Sequence, residues 1–222
     1  MGYQGSVGAF SGMLESYGVT DMDKYEIKEI VDSWRASRPL VKRFWYAVEK
    51  AAIRAIKTKA PQRIGRVKFW VSMYDNGEAK FLHCGLPDGT ILNYPSPKVE
   101  VIQKRKDWFA DAITFWGTSS DKSKPLAGNK EWGKITTYGG KLTENIVQSL
   151  ARRVLADAML RVEAFGMPIV MHVHDEIVCE LPNQRPEFKT LEFFKILMKV
   201  IPPWAKGLPL DVDAWEGKRY KK

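Results

Sequence analysis

The string Val173-His174-Asp175-Glu176-Ile177 sets two carboxylates side by side between apolar runs. Ile169 to Val173 and Ile177 to Leu181 are rich in β-branched and apolar residues, which predicts a β-hairpin with the acidic pair at its turn. Neighbouring carboxylates repel one another and resist desolvation, so water, a basic group or a cation has to offset them. A hard ion such as Mg²⁺ suits this donor set, because it takes one or two carboxylates and fills its shell with water and substrate phosphates. Taken alone, the Asp-Glu dipeptide also reads as a solvated acidic turn between two core strands. His172, His174 and Asp175 allow a third reading, the ligands of a metal-dependent hydrolase. The chain has only three His, however, and no further His-rich set to complete that site.

A second group of polar residues stands on the helix expected from Thr143 to Phe165. Lys141, Asn145, Gln148 and Arg152 fall at i, i+4, i+7 and i+11 and so share one face. A cation at each end with amides between them can bond phosphates and the minor-groove acceptors that every base pair presents. A solvated helix face is the alternative. The apolar side is expected to carry Val147, Leu150, Ala151, Val154, Ala158 and Val162.

These groups need elements to position them. Gly166 and Pro168 stop the helix and launch the hairpin. A last helix is expected from Pro186, with Phe188, Leu191, Phe194, Leu197 and Met198 inward and Pro202-Pro203 as its stop. Leu208, Leu210 and Val212 alternate with polar residues as a closing strand. Helix, hairpin, helix and strand make an α+β layer with helices on one sheet face.

Ahead of this region, a helix follows Asp23, with Ile27, Ile30, Val31 and Trp34 at helical spacing. A second starts near Ser37 and Pro39 and carries an apolar stripe of Val41, Phe44, Trp45, Val48, Ala52 and Ile56. Its other faces bear Lys42, Arg43, Lys50, Arg54, Lys57 and Lys59. Between Pro61 and Pro97 the period shifts to two, and Asp75-Asn76-Gly77 and Pro87-Asp88-Gly89-Thr90 mark turns of a small antiparallel meander. His83 has no ligand partner at suitable spacing and is expected to be structural. Lys104-Arg105-Lys106 reads as a solvated charge run, and Gly117 to Lys130 as a mobile loop.

The 222 residues suffice for a sizeable core, and the formal net charge of +9 calls for an anionic partner, nucleic acid first and an acidic membrane surface second. No run of eighteen apolar residues and no signal-peptide pattern is present, so a soluble intracellular protein is expected. Cys84 and Cys179 show neither zinc spacing nor a disulfide framework. Gly5-Ser-Val-Gly8 fits neither the Walker nor the dinucleotide fingerprint.

Val173-His-Asp-Glu-Ile-Val178, preceded by Gly166 and Met171, resembles motif C of the family A DNA polymerases. Met1-Gly-Tyr-Gln-Gly5 is similar to the end of motif B in the bacteriophage-type members. Tyr138-Gly-Gly-Lys-Leu-Thr-Glu-Asn-Ile-Val-Gln148, Leu86 to Pro95, Leu208 to Tyr220, and the pairs Trp34-Arg35 and Phe44-Trp45 also resemble that family, in the family's order. The resemblance implies that Asp175 binds the catalytic metals with Glu176 beside it, that His174 lies near the primer end, and that Tyr3 lines the nucleotide pocket. It implies that Gln148 contacts the minor groove of a primer-template duplex, with Asn145 less closely matched to the pattern. Residues 1–60 would be partial fingers, 61–137 a meander and basic loop, and 138–222 the C-terminal part of the palm. Motif A and the Lys and Arg of motif B are expected on an upstream polypeptide, which would complete the ligands of two Mg²⁺ ions. The substrates implied are primer-template DNA and deoxynucleoside triphosphates, in the cytoplasm of a host bacterium. A non-catalytic, nucleic-acid-binding remnant of such a polymerase is the alternative.

Overall fold

A computed structural model describes residues 2–105, 108–118, 132–183 and 190–220. The chain divides into two compact units, Met1–Ile146 and Val147–Lys222.

The first unit begins with three helices, α1 (Val7–Ser16), α2 (Lys24–Ser37) and α3 (Pro39–Thr58). Ser6 caps α1, its Oγ accepting from the Ala9 amide. Asp23 starts α2 with a full capping box. Its Oδ1 accepts from the amides of Tyr25 and Glu26 at 2.6 and 2.9 Å, while Glu26 Oε2 accepts from the Asp23 amide at 2.9 Å. Ile27 and Val31 are buried, whereas Ile30 faces outward. Pro39 opens α3, where its missing N–H has no helical partner to lose. The buried stripe of α3 is Trp45, Val48, Ala51, Ala52, Ala55 and Ile56. The alanines let the helix close onto strands of both sheets of this unit.

The first sheet is the meander β1 (Gln62–Ile64), β2 (Val67–Met73), β3 (Ala79–Gly85) and β4 (Ile91–Pro95), all antiparallel. Gly65, Gly77 and Gly89 take positive φ at its three turns. Strand β1 falls within the expected Pro61–Pro97 span, its hairpin resting on the short Ile64-Gly65-Arg66-Val67 turn. His83 is structural in its contacts: its ring nitrogens lie 2.6 Å from Asn93 Oδ1 and 2.9 Å from Ser72 Oγ, and it stacks on Trp70.

The second sheet corrects one expectation, the loop from Gly117, whose first two residues are strand. Lys104 and Arg105 end a strand, β5 (Lys98–Arg105), and Gly117 and Thr118 end another, β6 (Trp108–Thr118). Both pair antiparallel, β6 also with β7 (Trp132–Thr137), and the pairs Val99–Ile113 and Thr114–Thr136 set the register. Long-range ladder bonds override the loop-like composition at the end of β6. Lys106 and residues 119–130 lie outside the described residues.

Helix α4 (Gly139–Ala164) starts four residues earlier than expected. Its first turns bury Leu142, Thr143 and Ile146 in the first unit, and its later turns bury Leu155, Ala158 and Val162 in the second. The two sets belong to different units. The expected stripe is therefore corrected: Ala158 and Val162 are core, but Val147 and Ala151 are exposed.

The second unit packs α4 with the hairpin β8 (Ile169–Val173) and β9 (Glu176–Cys179) and with α5 (Leu191–Met198). Leu155, Ala158, Val162, Met167, Leu197 and Met198 form its core. Each large apolar side chain there contributes about 1.5–3 kcal/mol of burial. Thr190 caps α5 by accepting from the Phe193 amide at 3.1 Å; the expected start at Pro186 and the inward Phe188 lie outside the described residues. The expected closing strand at Leu208–Val212 does not form. Pro209 has no N–H, the amides of Leu208 and Leu210 bond back to Ala205 and Leu208, and the amides of Val212 and Ala214 bond the side chains of Asp211 and Asp213, so most donors of the stretch are engaged locally instead of in a ladder.

Candidate active site

Val173 pairs with Glu176, which leaves a two-residue turn of His174 and Asp175. His174 takes φ +52°, where a non-glycine residue is uncommon but where such tight hairpins need a positive φ. The carboxylates are therefore not both at the turn. Asp175 projects there and is exposed, while Glu176 is the first residue of β9 and half-buried. Glu176 Oε2 accepts a hydrogen bond from Tyr220 Oη at 3.1 Å. Desolvation, then the Glu176 carboxylate, push the Tyr220 phenol above its ordinary range.

The hairpin is fixed at its base as well. Glu163 Oε1 accepts from the Ile169 amide at 2.6 Å, and the Glu180 amide donates to Pro168 O at 3.2 Å. An open cavity of about 420 Å³ between α4 and β8 brings Arg152 and His172 to one depression, beside Leu160 and Val170. Among the described residues no group of three or more His, Cys, Asp or Glu side chains is gathered to hold a metal. His172, His174 and Asp175 thus do not assemble the ligand set of a metal-dependent hydrolase.

The polar residues of α4 differ in how they are held. Lys141 Nζ lies 2.8 Å from Glu144 Oε2, whose hydrogen bond holds the ammonium pKa above its ordinary value. Asn145 Nδ2 donates to Tyr94 Oη at 3.0 Å. Gln148 and Arg152 are exposed. Lys141 and Asn145 belong to the first unit, Gln148 and Arg152 to the second.

Tyr94, 4% exposed, packs edge-to-face on Phe115 and was not singled out from sequence. Burial pushes its phenol up to about 12, with the Asn145 bond acting the other way. A phenol that stays neutral in the fold while its unfolded counterpart ionises near pH 10 stabilises fully below about 10, and this contribution is lost as pH rises toward about 12. The alkaline limb of a plot of melting temperature against pH is thus expected to fall less steeply for Tyr94→Phe than for the wild type between pH 9 and 12. Equal slopes would contradict the assignment.

Tyr3 sits in a short strap that the first unit grips from three sides. Trp45 Nε1 donates to Gly2 O at 2.8 Å, Arg35 Nη2 to Gly5 O at 3.0 Å, and the Gly140 amide to Gln4 Oε1 at 2.9 Å. Gln4 itself has φ +64°. A Cβ at Gly140 would lie 2.6 Å from Gln4 Cβ and inside contact of Tyr3 O. One at Gly139 would lie 2.8 Å from the Trp45 carbonyl carbon and 3.2 Å from Glu49 Cβ. The Gly-Tyr-Gln-Gly and Tyr-Gly-Gly strings, far apart in sequence, thus pack against each other. Tyr3 is half-buried in the strap.

In sequence the chain is related to a DNA polymerase of a bacteriophage. The relative, named DNA polymerase, is from Bacillus phage SP02 and is 37% identical over 224 residues, an alignment that takes in 100% of this chain and 31% of that protein. The chain thus spans about a third of the length of the curated relative it matches. No protein-family model matches the chain, and no solved structure matches it. Among the described residues no helix is long and apolar enough to cross a membrane.

Proposed function

We propose that this chain is the motif C-bearing part of a family A DNA polymerase of bacteriophage type, working in a host cell's cytoplasm. It would add deoxynucleotides to a primer 3′-hydroxyl together with a polypeptide that supplies motif A and the basic part of motif B. The observation that carries this reading is identity to a named DNA polymerase along the entire chain. The hairpin supports it with chemistry, since Asp175 stands exposed at the tip and Glu176 follows it on β9.

Hard oxygen donors in this number suit Mg²⁺, which leaves coordination sites to water, to substrate phosphates and to carboxylates from elsewhere. When bound, a Mg²⁺ pair would activate the primer hydroxyl and stabilise the departing pyrophosphate. Asp175 is the ligand and Glu176 its neighbour in that role. His174, held at the turn, positions the primer terminus. Lys141, Asn145, Gln148 and Arg152 hold the duplex through phosphates and minor-groove acceptors without reading its sequence. Tyr3 lines the nucleotide pocket, and residues 1–60, 61–137 and 138–222 serve as partial fingers, connecting meander and palm. Leu160 and Val170, 69% and 59% exposed beside the cavity, are apolar surface that a further polypeptide would cover.

The test is Mg²⁺-dependent extension of a primed template by the chain alone and by the chain mixed with a polypeptide covering the remainder of the relative's length. Extension in the mixture is the expected result. Duplex binding with no extension in either case would favour a nucleic-acid-binding remnant instead. In the same system Arg152→Ala is expected to lower duplex affinity and to flatten the slope of log affinity against log salt by about 0.9, the value for one lost phosphate contact. An unchanged slope would remove Arg152 from the interface.

A further inference from the structure

The stretch 206–220 contains no helix or strand, yet it is shaped closely. Lys199 Nζ pairs with Asp211 Oδ1 at 2.5 Å, and Val212 packs against the core of the second unit. Further on, a Cβ at Gly217 would lie 2.8 Å from Trp215 Cζ3, so the indole lies close against the backbone there. The stretch then brings Tyr220, 44 residues distant in sequence, to Glu176.

We infer that Tyr220 is a positioning residue for Glu176, an inference that rests on the polymerase reading of the acidic tip. The phenol engages Oε2 and fixes the rotation of a carboxylate that is only half-buried at the start of β9. With Oε2 engaged, Oε1 is the oxygen left to meet a cation or its water beside Asp175. A phenol suits this task better than a lysine or arginine would. It orients the carboxylate with a neutral donor and leaves the negative charge that attracts a divalent ion intact. Tyr220, fifteen residues beyond the short 3-10 turn Pro203–Ala205, is therefore part of the site.

The probe is Mn²⁺, bound to the full chain with primed duplex and followed by the electron paramagnetic resonance of the free ion, which reads binding without catalysis. Tyr220→Phe keeps the ring and removes only the hydroxyl, and it is expected to weaken Mn²⁺ binding by about tenfold at an unchanged melting temperature. Glu176→Gln is expected to weaken it as well, and adding Tyr220→Phe to Glu176→Gln should then change nothing further, because the phenol acts through that carboxylate. Full additivity would mean that the phenol acts independently of Glu176 and overturns the inference, as would wild-type binding by Tyr220→Phe, the result for a tail that merely packs. Asp175→Asn separates the two levels: if it binds Mn²⁺ like the wild type, the acidic tip is not the metal site and the polymerase reading of it fails. If Asp175→Asn loses the ion while Tyr220→Phe retains it, only the role of Tyr220 fails.

Discussion

Asparagine at position 175 is expected to reduce Mg²⁺-dependent primer extension by on the order of a thousandfold while leaving duplex binding and the melting temperature unchanged. The substitution keeps the shape of the side chain and removes its charge. Asn is at least as tolerant of tight turns as Asp, so the His174-Asp175 turn should form as before. The Asp175 carboxylate is exposed at the tip, and no hydrogen bond of the hairpin ladder depends on it. On the proposed reading, what is lost is an anionic oxygen for a divalent ion whose charge stabilisation is needed most in the transition state. Single-turnover extension rates at saturating duplex, with duplex affinity by anisotropy, separate chemistry from binding. A rate within tenfold of the wild type would mean that Asp175 is not a metal ligand. A parallel loss of duplex affinity would mean that the tip holds DNA rather than metal.

Alanine at Gly139 is expected to destabilise the first unit by about 3 kcal/mol, the upper part of the range for overpacking. Two effects oppose each other here. Alanine is the better helix former by roughly 1 kcal/mol, which alone would stabilise α4. Against this, the added methyl meets the backbone carbonyl of Trp45 and, at 3.2 Å, Glu49 Cβ. Backbone in the middle of a 20-residue helix cannot rotate aside as a side chain can, so α3 and the start of α4 must separate. Trp45, 1% exposed, would lose packing with them. In a chain of this length the expected fall in melting temperature is about 6–12 °C. Gly133→Ala is the control, since a Cβ there meets nothing within 4 Å. Equal stability of Gly139→Ala and Gly133→Ala would disprove the close approach of the two helices.

Local signals carried much of the fold. The hairpin around His174-Asp175 is legible because β-branched and apolar runs on either side of a short polar break favour paired strands. The Asp23 cap is legible because the amides it accepts from follow within three positions. The sheet of β5, β6 and β7 was not legible. Its evidence is pairing, such as Phe115 with Ile135 and Trp116 with Lys134, between segments separated by turn-like composition. Helix α4 misled for a different reason. It serves two cores with two apolar sets, and a single 3.6-residue stripe drawn through both is an average of neither. The shift of Glu176 from turn to strand depends on one residue of register, which β-propensity does not resolve. Tyr94 and Tyr220 left no trace near Asn145 and Glu176, being 51 and 44 residues away. The types of side chain able to do chemistry could be read from sequence, and the groups that orient them could not.

The grip of Gly140 on Gln4 spans 136 residues, and that distance governs when the first unit can fold. A ribosome adding about 5–20 residues per second takes on the order of ten seconds to reach position 140 after making the strap. Until then the strap has Trp45 and Arg35 to hold it but lacks the helix start that closes over it. Loop closure across so long a span is also entropically slow, which places this contact late on the folding pathway. A nascent chain therefore passes through an interval in which the strap is held by α2 and α3 alone, through Arg35 and Trp45.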